Sequence, residues 1–273
     1  MGLRLLSVQP RQGWRWVTQG VRLWWRHPLA FSGLLALFLL AVTLIMVLVP
    51  WVGGIIGLCM VPLLSLGFMV ASRSALQGGP VHALQLVEGL RHPQSQQLRA
   101  QLLICLAYGV TTMMVIALAD LVDGGLFEDF QRALSRTGPD GKADPQLMPI
   151  LLNPMLYAGM AVRLGLTSLL SIPFWHAPAL VHWGGQTAMQ ALFSSTLALW
   201  RTRAAFALYM VGWITVVVSV AVLLTILATL VGMPRIVVGL TMPIALPLTA
   251  AFYVSLWFSF VDTFGTPDPV TTA

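Results

Sequence analysis

Charge is scarce in this sequence. Asp, Glu, Lys and Arg make up 9% of its 273 residues, whereas hydrophobic residues make up 58%. Soluble domains carry roughly a quarter charged residues, so these few side chains could not cover a water-facing surface. The composition therefore excludes a soluble globular protein. The chain is long enough for about six membrane-spanning helices with short connections.

Lysine and acidic residues are rarer still. Lys142 is the only lysine, and 15 basic residues against nine acidic ones give a formal net charge of +6. In a soluble protein this balance would suggest nucleic acid as the partner, but here the arginines stand beside apolar runs. We therefore expect anionic membrane lipids as the partner, and no nucleic acid.

Cysteine and catalytic motifs are also lacking. Cys59 and Cys105 lie within apolar runs and are too few for a zinc site or a disulfide framework. The sequence has no Ser-His-Asp set, no H-E-x-x-H or C-x-x-C motif and no paired intramembrane carboxylates. It therefore predicts a non-enzymatic protein with no catalytic residue, no metal site and no cofactor. The first apolar run is too long for a cleaved signal peptide, so we expect it to remain as a signal anchor.

The N-terminal stretch 10–27 is basic and rich in tryptophan. On a helical wheel its arginines fall within an arc of roughly 60°, and its tryptophans fill the opposite side. This pattern is typical of a helix lying in a membrane surface, with guanidinium groups towards the headgroups and indoles towards the acyl chains. Trp16 belongs to the indole side. The residues predicted to form this lipid surface are Arg11, Arg15, Arg22, Arg26, Trp14, Trp24 and Trp25.

Six apolar runs reach the length that a helix needs to cross a bilayer. They cover residues 29–49, 52–71, 100–119, 164–182, 204–231 and 236–261. Two further amphipathic segments, 82–92 and 187–200, precede the third and fifth spans, much as 10–27 precedes the first. The sequence thus predicts an all-α membrane protein with six transmembrane helices and three cytoplasmic interfacial amphipathic helices.

An internal repeat of one surface helix and two spans would explain this layout. Trp25-Arg26 with Ala30-Phe31 recurs as Trp200-Arg201 with Ala205-Phe206 at the same internal spacing. The matches indicate a threefold helix-span-span repeat, and the alternative is chance similarity in a biased composition.

The longest polar region, 120–147, separates the third and fourth spans. It holds six acidic and three basic residues, and its Leu126 to Ser135 portion favours a short helix. Residues 137–141 read as a turn, and a tight turn is expected at 232–235. The run 148–161 is apolar but contains two prolines, and it is either interfacial or partly inserted. The polar tail from Asp262 onwards is expected to be loose.

The basic residues are unevenly divided between the two sides of the predicted bundle. Ten of the 15 fall on the side that carries both termini. The positive-inside bias therefore predicts cytoplasmic termini and a periplasmic loop at 120–147. Nothing resembles an organelle transit peptide, so a bacterial inner (plasma) membrane is the expected location.

Two residues of the fourth span are candidates for a polar site. Arg163 stands at its outer mouth, where a guanidinium group can serve function, reach headgroups or pair with an acid. The nearest acidic residues by topology are Asp120 and Asp123, and we expect Arg163 to contact one of them. His176, near the other end of the span, is typical either of an interfacial aromatic belt or of a proton relay.

Several short motifs occur in a recognisable order along the chain. Gly13-Trp-Arg-Trp16 is followed by 24–31 with the sequence Trp-Trp-Arg-His-Pro-Leu-Ala-Phe, then by Ala177-Pro-Ala-Leu-Val181 and Gly184-Gly185. In this order they resemble an uncharacterised family of bacterial six-span inner-membrane proteins with an N-terminal amphipathic helix. The resemblance implies the fold and the location, and it implies no activity.

Two functions remain open on the sequence alone. The first is a non-enzymatic scaffold, assembly partner or lipid-associated module, with a membrane-protein partner or a homo-oligomer. The alternative is a small-solute transporter or channel with a path near Arg163 and His176, favoured by the proline-broken fourth span.

Overall fold

The computed structural model describes residues 4–91, 95–136, 144–230 and 236–267. These residues form α-helices and one 3₁₀ helix, Ala83–Leu90, and contain no strand, which confirms the all-α prediction. The α-helices are α1 Gln12–Arg26, α2 Pro28–Leu48, α3 Pro50–Leu76, α4 Ser95–Asp123, α5 Leu126–Ser135, α6 Leu147–Leu151, α7 Pro154–Phe174, α8 Ala177–Gly184, α9 Ala188–Arg201, α10 Arg203–Leu230 and α11 Ile236–Phe264.

Six elements are long and apolar enough to cross a membrane, as the composition predicts. They are α2, α3, α4, α7 continued by α8, α10 and α11. Prolines begin α2, α3 and α7, where a missing backbone N–H costs nothing. The predicted turns at 137–141 and 232–235 lie outside the described residues.

The chain ends meet on one face of the bundle, which we call the termini face. The backbone N–H groups of Arg4 and Leu6 donate to the carbonyl oxygens of Phe264 and Thr263. The N-terminal segment thereby satisfies carbonyl groups that the end of α11 would otherwise leave unpaired. Asp262 lies within α11, so the polar tail begins later than the sequence suggested.

The opposite face, where α4 ends and α5 begins, is the loop face. Here α5 forms over the predicted residues, whereas the run predicted as interfacial or partly inserted is divided between α6 and α7. The side chain of Asn153 caps α7 by accepting a hydrogen bond from the Met155 N–H, so this helix starts ten residues before the predicted span. Ala133, Ile150 and Leu156 form a small buried cluster that holds α5, α6 and the start of α7 together.

The N-terminal helix α1 packs lengthwise between α10 and α11. Trp16 contacts Asp262 of α11, whereas Gly20, one turn later in α1, lies against Ser255, which comes earlier in α11. The two helices therefore run antiparallel. Gly13 lies against Ala205 at the start of α10. Within the protein α1 thus packs along two of the spans, and its position in the membrane surface remains a prediction. The reason for this packing is a stripe of small and apolar residues that fits their groove.

Candidate functional site

An ion-pair cluster joins α4 to α7 at the loop face. Arg163 Nη2 donates a hydrogen bond of 2.5 Å to Asp120 Oδ1, and Arg163 Nη1 lies 3.7 Å from Asp123 Oδ2. The structure thus contains the predicted contact and brings three candidate residues together. Because α7 starts at Pro154, Arg163 lies within the helix and not at its mouth.

The cluster is largely removed from solvent. The Asp123 side chain is 0% exposed, and its Cβ and carboxylate fill the space where Gly159 has no side chain. The Arg163 guanidinium also lies 4.1 Å from the centroid of the Phe127 ring, which favours a cation through its negative face. A carboxylate buried this completely needs the guanidinium as its neighbour, since an unpaired buried charge is costly.

The depth of the cluster follows from α4. The residues between Arg99 and Asp120 are uncharged and number 20, which corresponds to about 30 Å of helix, the thickness of a bilayer hydrocarbon core. Asp120 and its partner therefore fall at one boundary of the apolar layer. The arrangement can hold two spans together there, and its single guanidinium offsets one of the two carboxylate charges.

His176 is wholly buried at the start of α8. Its Nε2 lies 3.1 Å from the Ser259 hydroxyl, and its backbone N–H donates to the Ser195 hydroxyl. The Ser259 hydroxyl also donates to the Leu256 carbonyl oxygen within α11. The belt interpretation is thus wrong for this residue, because burial removes it from the interface.

The structure does not bring His176 and Arg163 together. His176 lies 13 positions after Arg163 along the same span, which corresponds to about 20 Å. Aromatic rings surround His176, with the centroids of Phe206, Phe260 and Phe264 between 5.5 and 5.9 Å from its own. Its Nδ1 has no hydrogen-bond partner among the described residues.

The arginines of α1 form one exposed face. Arg11, Arg15, Arg22 and Arg26 are all exposed. Trp14 and Trp25 are exposed as well, at 48% and 73%, whereas Trp24 is half-buried and donates a hydrogen bond to Ser32. The predicted surface residues are therefore available to a partner, except that Trp24 turns towards the protein.

Trp16 departs from the predicted pattern. It is 0% exposed, and its Nε1–H donates to Asp262 Oδ2 at 2.8 Å. Gln12 donates to the same oxygen at 3.1 Å. The helical wheel could not separate an indole that faces lipid from one that faces protein. The glycines at 13 and 20 were the available signal, since they mark a face that another helix approaches closely.

Within the residues that the structure describes, no group of three or more acidic, histidine or cysteine side chains could hold a metal ion. The loop-face cluster and the arginine face of α1 are thus the candidate sites.

Six apolar helices whose charged groups lie mostly near their ends define a multi-pass membrane protein. The chain is 30% identical to a probable inner membrane protein of Burkholderia thailandensis over 270 residues, which are 98% of this chain and 96% of the relative. It belongs to that family of bacterial inner-membrane proteins. No family model matches the chain. No solved structure matches it either.

Proposed function

We propose that this inner-membrane protein is a non-enzymatic module that associates with anionic lipids and serves as a scaffold or assembly partner. The observation that carries the proposal is the exposed arginine face of α1, on a helix fixed against two spans. Arginine binds phosphate through paired N–H groups, and each basic residue near an anionic surface contributes about 1 kcal/mol. The proposed protein partner is either a second copy or another membrane protein.

We further propose that the termini face is cytoplasmic. Its described charged residues are mostly arginines, on α1, α3, α9 and α10 and in the segments around them, whereas the loop face carries Asp120, Asp123, Glu128, Asp129 and Asp144. Basic residues beside spans stay on the cytoplasmic side of bacterial membranes, where anionic lipids attract them. Under this orientation the arginine face of α1 meets the inner leaflet.

The transport alternative has weaker support. A path through Arg163 and His176 would have to pass a guanidinium group engaged by two carboxylates and an imidazole enclosed by aromatic rings. Both features are better suited to holding helices together than to passing a solute.

Retention of anionic lipid during purification tests the proposal. Glutamine at Arg11, Arg15, Arg22 and Arg26 should reduce the phosphatidylglycerol that copurifies with the protein, measured by native mass spectrometry. Each arginine removed should lower the free energy of lipid binding by at most about 1 kcal/mol. The control carries glutamine at Arg132 and Arg136 on the loop face, and it should retain as much lipid as the unaltered protein. Equal retention by all three proteins would refute the lipid association.

A further inference from the structure

Two open cavities lie side by side on the termini face, separated by Val8. The first, of about 270 Å³, is bounded by Ser7, Gln9, Arg11 and Arg15 among others. The second, of about 360 Å³, is lined by 200–205 at the junction of α9 and α10, including Arg201 and Arg203. Val8 contributes to both, so the two cavities adjoin at the N-terminal segment.

The two cavities differ from the rest of the arginine face in their shape. Arg22 and Arg26 project from the same exposed face of α1 but line neither cavity. Arg11 and Arg15 instead stand beside a concave wall of backbone and hydroxyl groups. A concave wall allows an anion to be held from several sides, which an open helix surface does not.

One carboxylate also lines the first cavity, and its charge must be considered. Asp262 Oδ2 already accepts hydrogen bonds from Trp16 and Gln12. Four guanidinium groups therefore face the two cavities against one carboxylate that has hydrogen-bond donors of its own. Within the described residues, neither Arg11 nor Arg201 forms an ion pair with an acidic side chain, so both charges remain available to a ligand.

We propose that this double depression binds a phosphate-bearing anion, with Arg11 and Arg15 on one side of Val8 and Arg201 and Arg203 on the other. The inference deepens the proposed function, because it assigns the anion to a defined site instead of to the whole arginine face. Phosphate fits because guanidinium groups bind its oxygens in pairs. The phosphate belongs either to a lipid headgroup or to a soluble molecule.

Calorimetric titration of the purified full-length protein in detergent tests the site. The probes are short-chain phosphatidylglycerol and inorganic pyrophosphate. The variants Arg11→Gln/Arg15→Gln and Arg201→Gln/Arg203→Gln should each weaken binding about tenfold. The matched control Arg22→Gln/Arg26→Gln removes the same charge from the same face and should weaken it much less. Val8→Trp, which places a bulky uncharged side chain at the residue shared by both linings, should also weaken binding.

The outcomes separate the site from the proposed function. Binding of the lipid alone would assign the phosphate to a headgroup, and binding of pyrophosphate as well would assign it to soluble anions too. If all three arginine-pair variants lost the same affinity and Val8→Trp bound as tightly as the unaltered protein, the site would be overturned. Lipid association by the whole arginine face would then still stand. Failure of the unaltered protein to bind either probe would overturn the site. Unaltered retention of copurifying lipid in the fourfold variant would separately overturn the proposed function.

Discussion

Arg163 of α7 and Asp120 of α4 form a hydrogen-bonded ion pair across 43 residues of sequence. The pair closes the long connection that contains α5 and α6. Because Asp123 lies beside the same guanidinium, two carboxylates share one arginine at the boundary of the apolar layer. The pair therefore fastens the third span to the fourth.

Arg163→Leu should lower the free energy of unfolding by about 1–3 kcal/mol, since it leaves buried Asp123 without a counter-charge. The measurement is reversible unfolding in mixed detergent. Arg132→Leu is the matched control, because Arg132 pairs with Glu128 and Asp129 but is exposed, and its loss should cost less than about 1 kcal/mol. Equal costs for the two variants would show that burial of the Arg163 pair adds nothing.

Gly13→Ala and Gly20→Ala should loosen α1 from the groove between α10 and α11. A Cβ at Gly13 would lie against the Ala205 carbonyl oxygen, and one at Gly20 against the Ser255 side chain. Overpacking of this kind costs about 1–3 kcal/mol. Thermal unfolding and proteolysis within α1 would detect the loss.

The control for the glycine variants is Gly33→Ala. A Cβ there meets nothing within 4 Å, so alanine should stabilise α2 by about 0.5–1 kcal/mol. Opposite signs at Gly33 and Gly13 are therefore expected. Stabilisation at Gly13 as well would contradict the lengthwise packing of α1.

Trp16→Phe should destabilise the protein by about 1–3 kcal/mol, because it removes an N–H donor from the Asp262 carboxylate. Trp25→Phe, at a residue that is 73% exposed, should change stability little. Chemical unfolding monitored by circular dichroism compares the two variants. An equal effect would mean that the hydrogen bond at Trp16 contributes nothing.

The two faces should be accessible from opposite sides of the membrane. In a cysteine-free background, Glu128→Cys should react with an impermeant maleimide added to intact spheroplasts. Arg201→Cys should react only after the membrane is opened. Labelling of both from the same side would contradict the even number of spans, and reversed labelling would contradict the cytoplasmic termini.

Much of the architecture was predictable because it depends on length and composition. The six spans and α5 follow from apolar runs and local polarity, and the structure contains all of them. The contact between Arg163 and Asp120 was also predictable, since an arginine near hydrocarbon needs a partner and topology limits the choice. The start of α7 at Pro154 was not predictable, because the prolines at 149 and 154 fit a loop as well as a helix start.

The amino-acid sequence alone determined that this is a six-span inner-membrane protein with arginines gathered on one side. The free energy of moving a side chain from water into a bilayer depends mainly on that residue. The order of apolar and basic residues along the chain is therefore enough to predict the spans and their orientation. Only the tertiary structure decided which face of α1 meets protein, that His176 is enclosed, and that Val8 divides two arginine-lined cavities. A bilayer and a helix bundle both accept apolar side chains, and only close packing of distant segments distinguishes them.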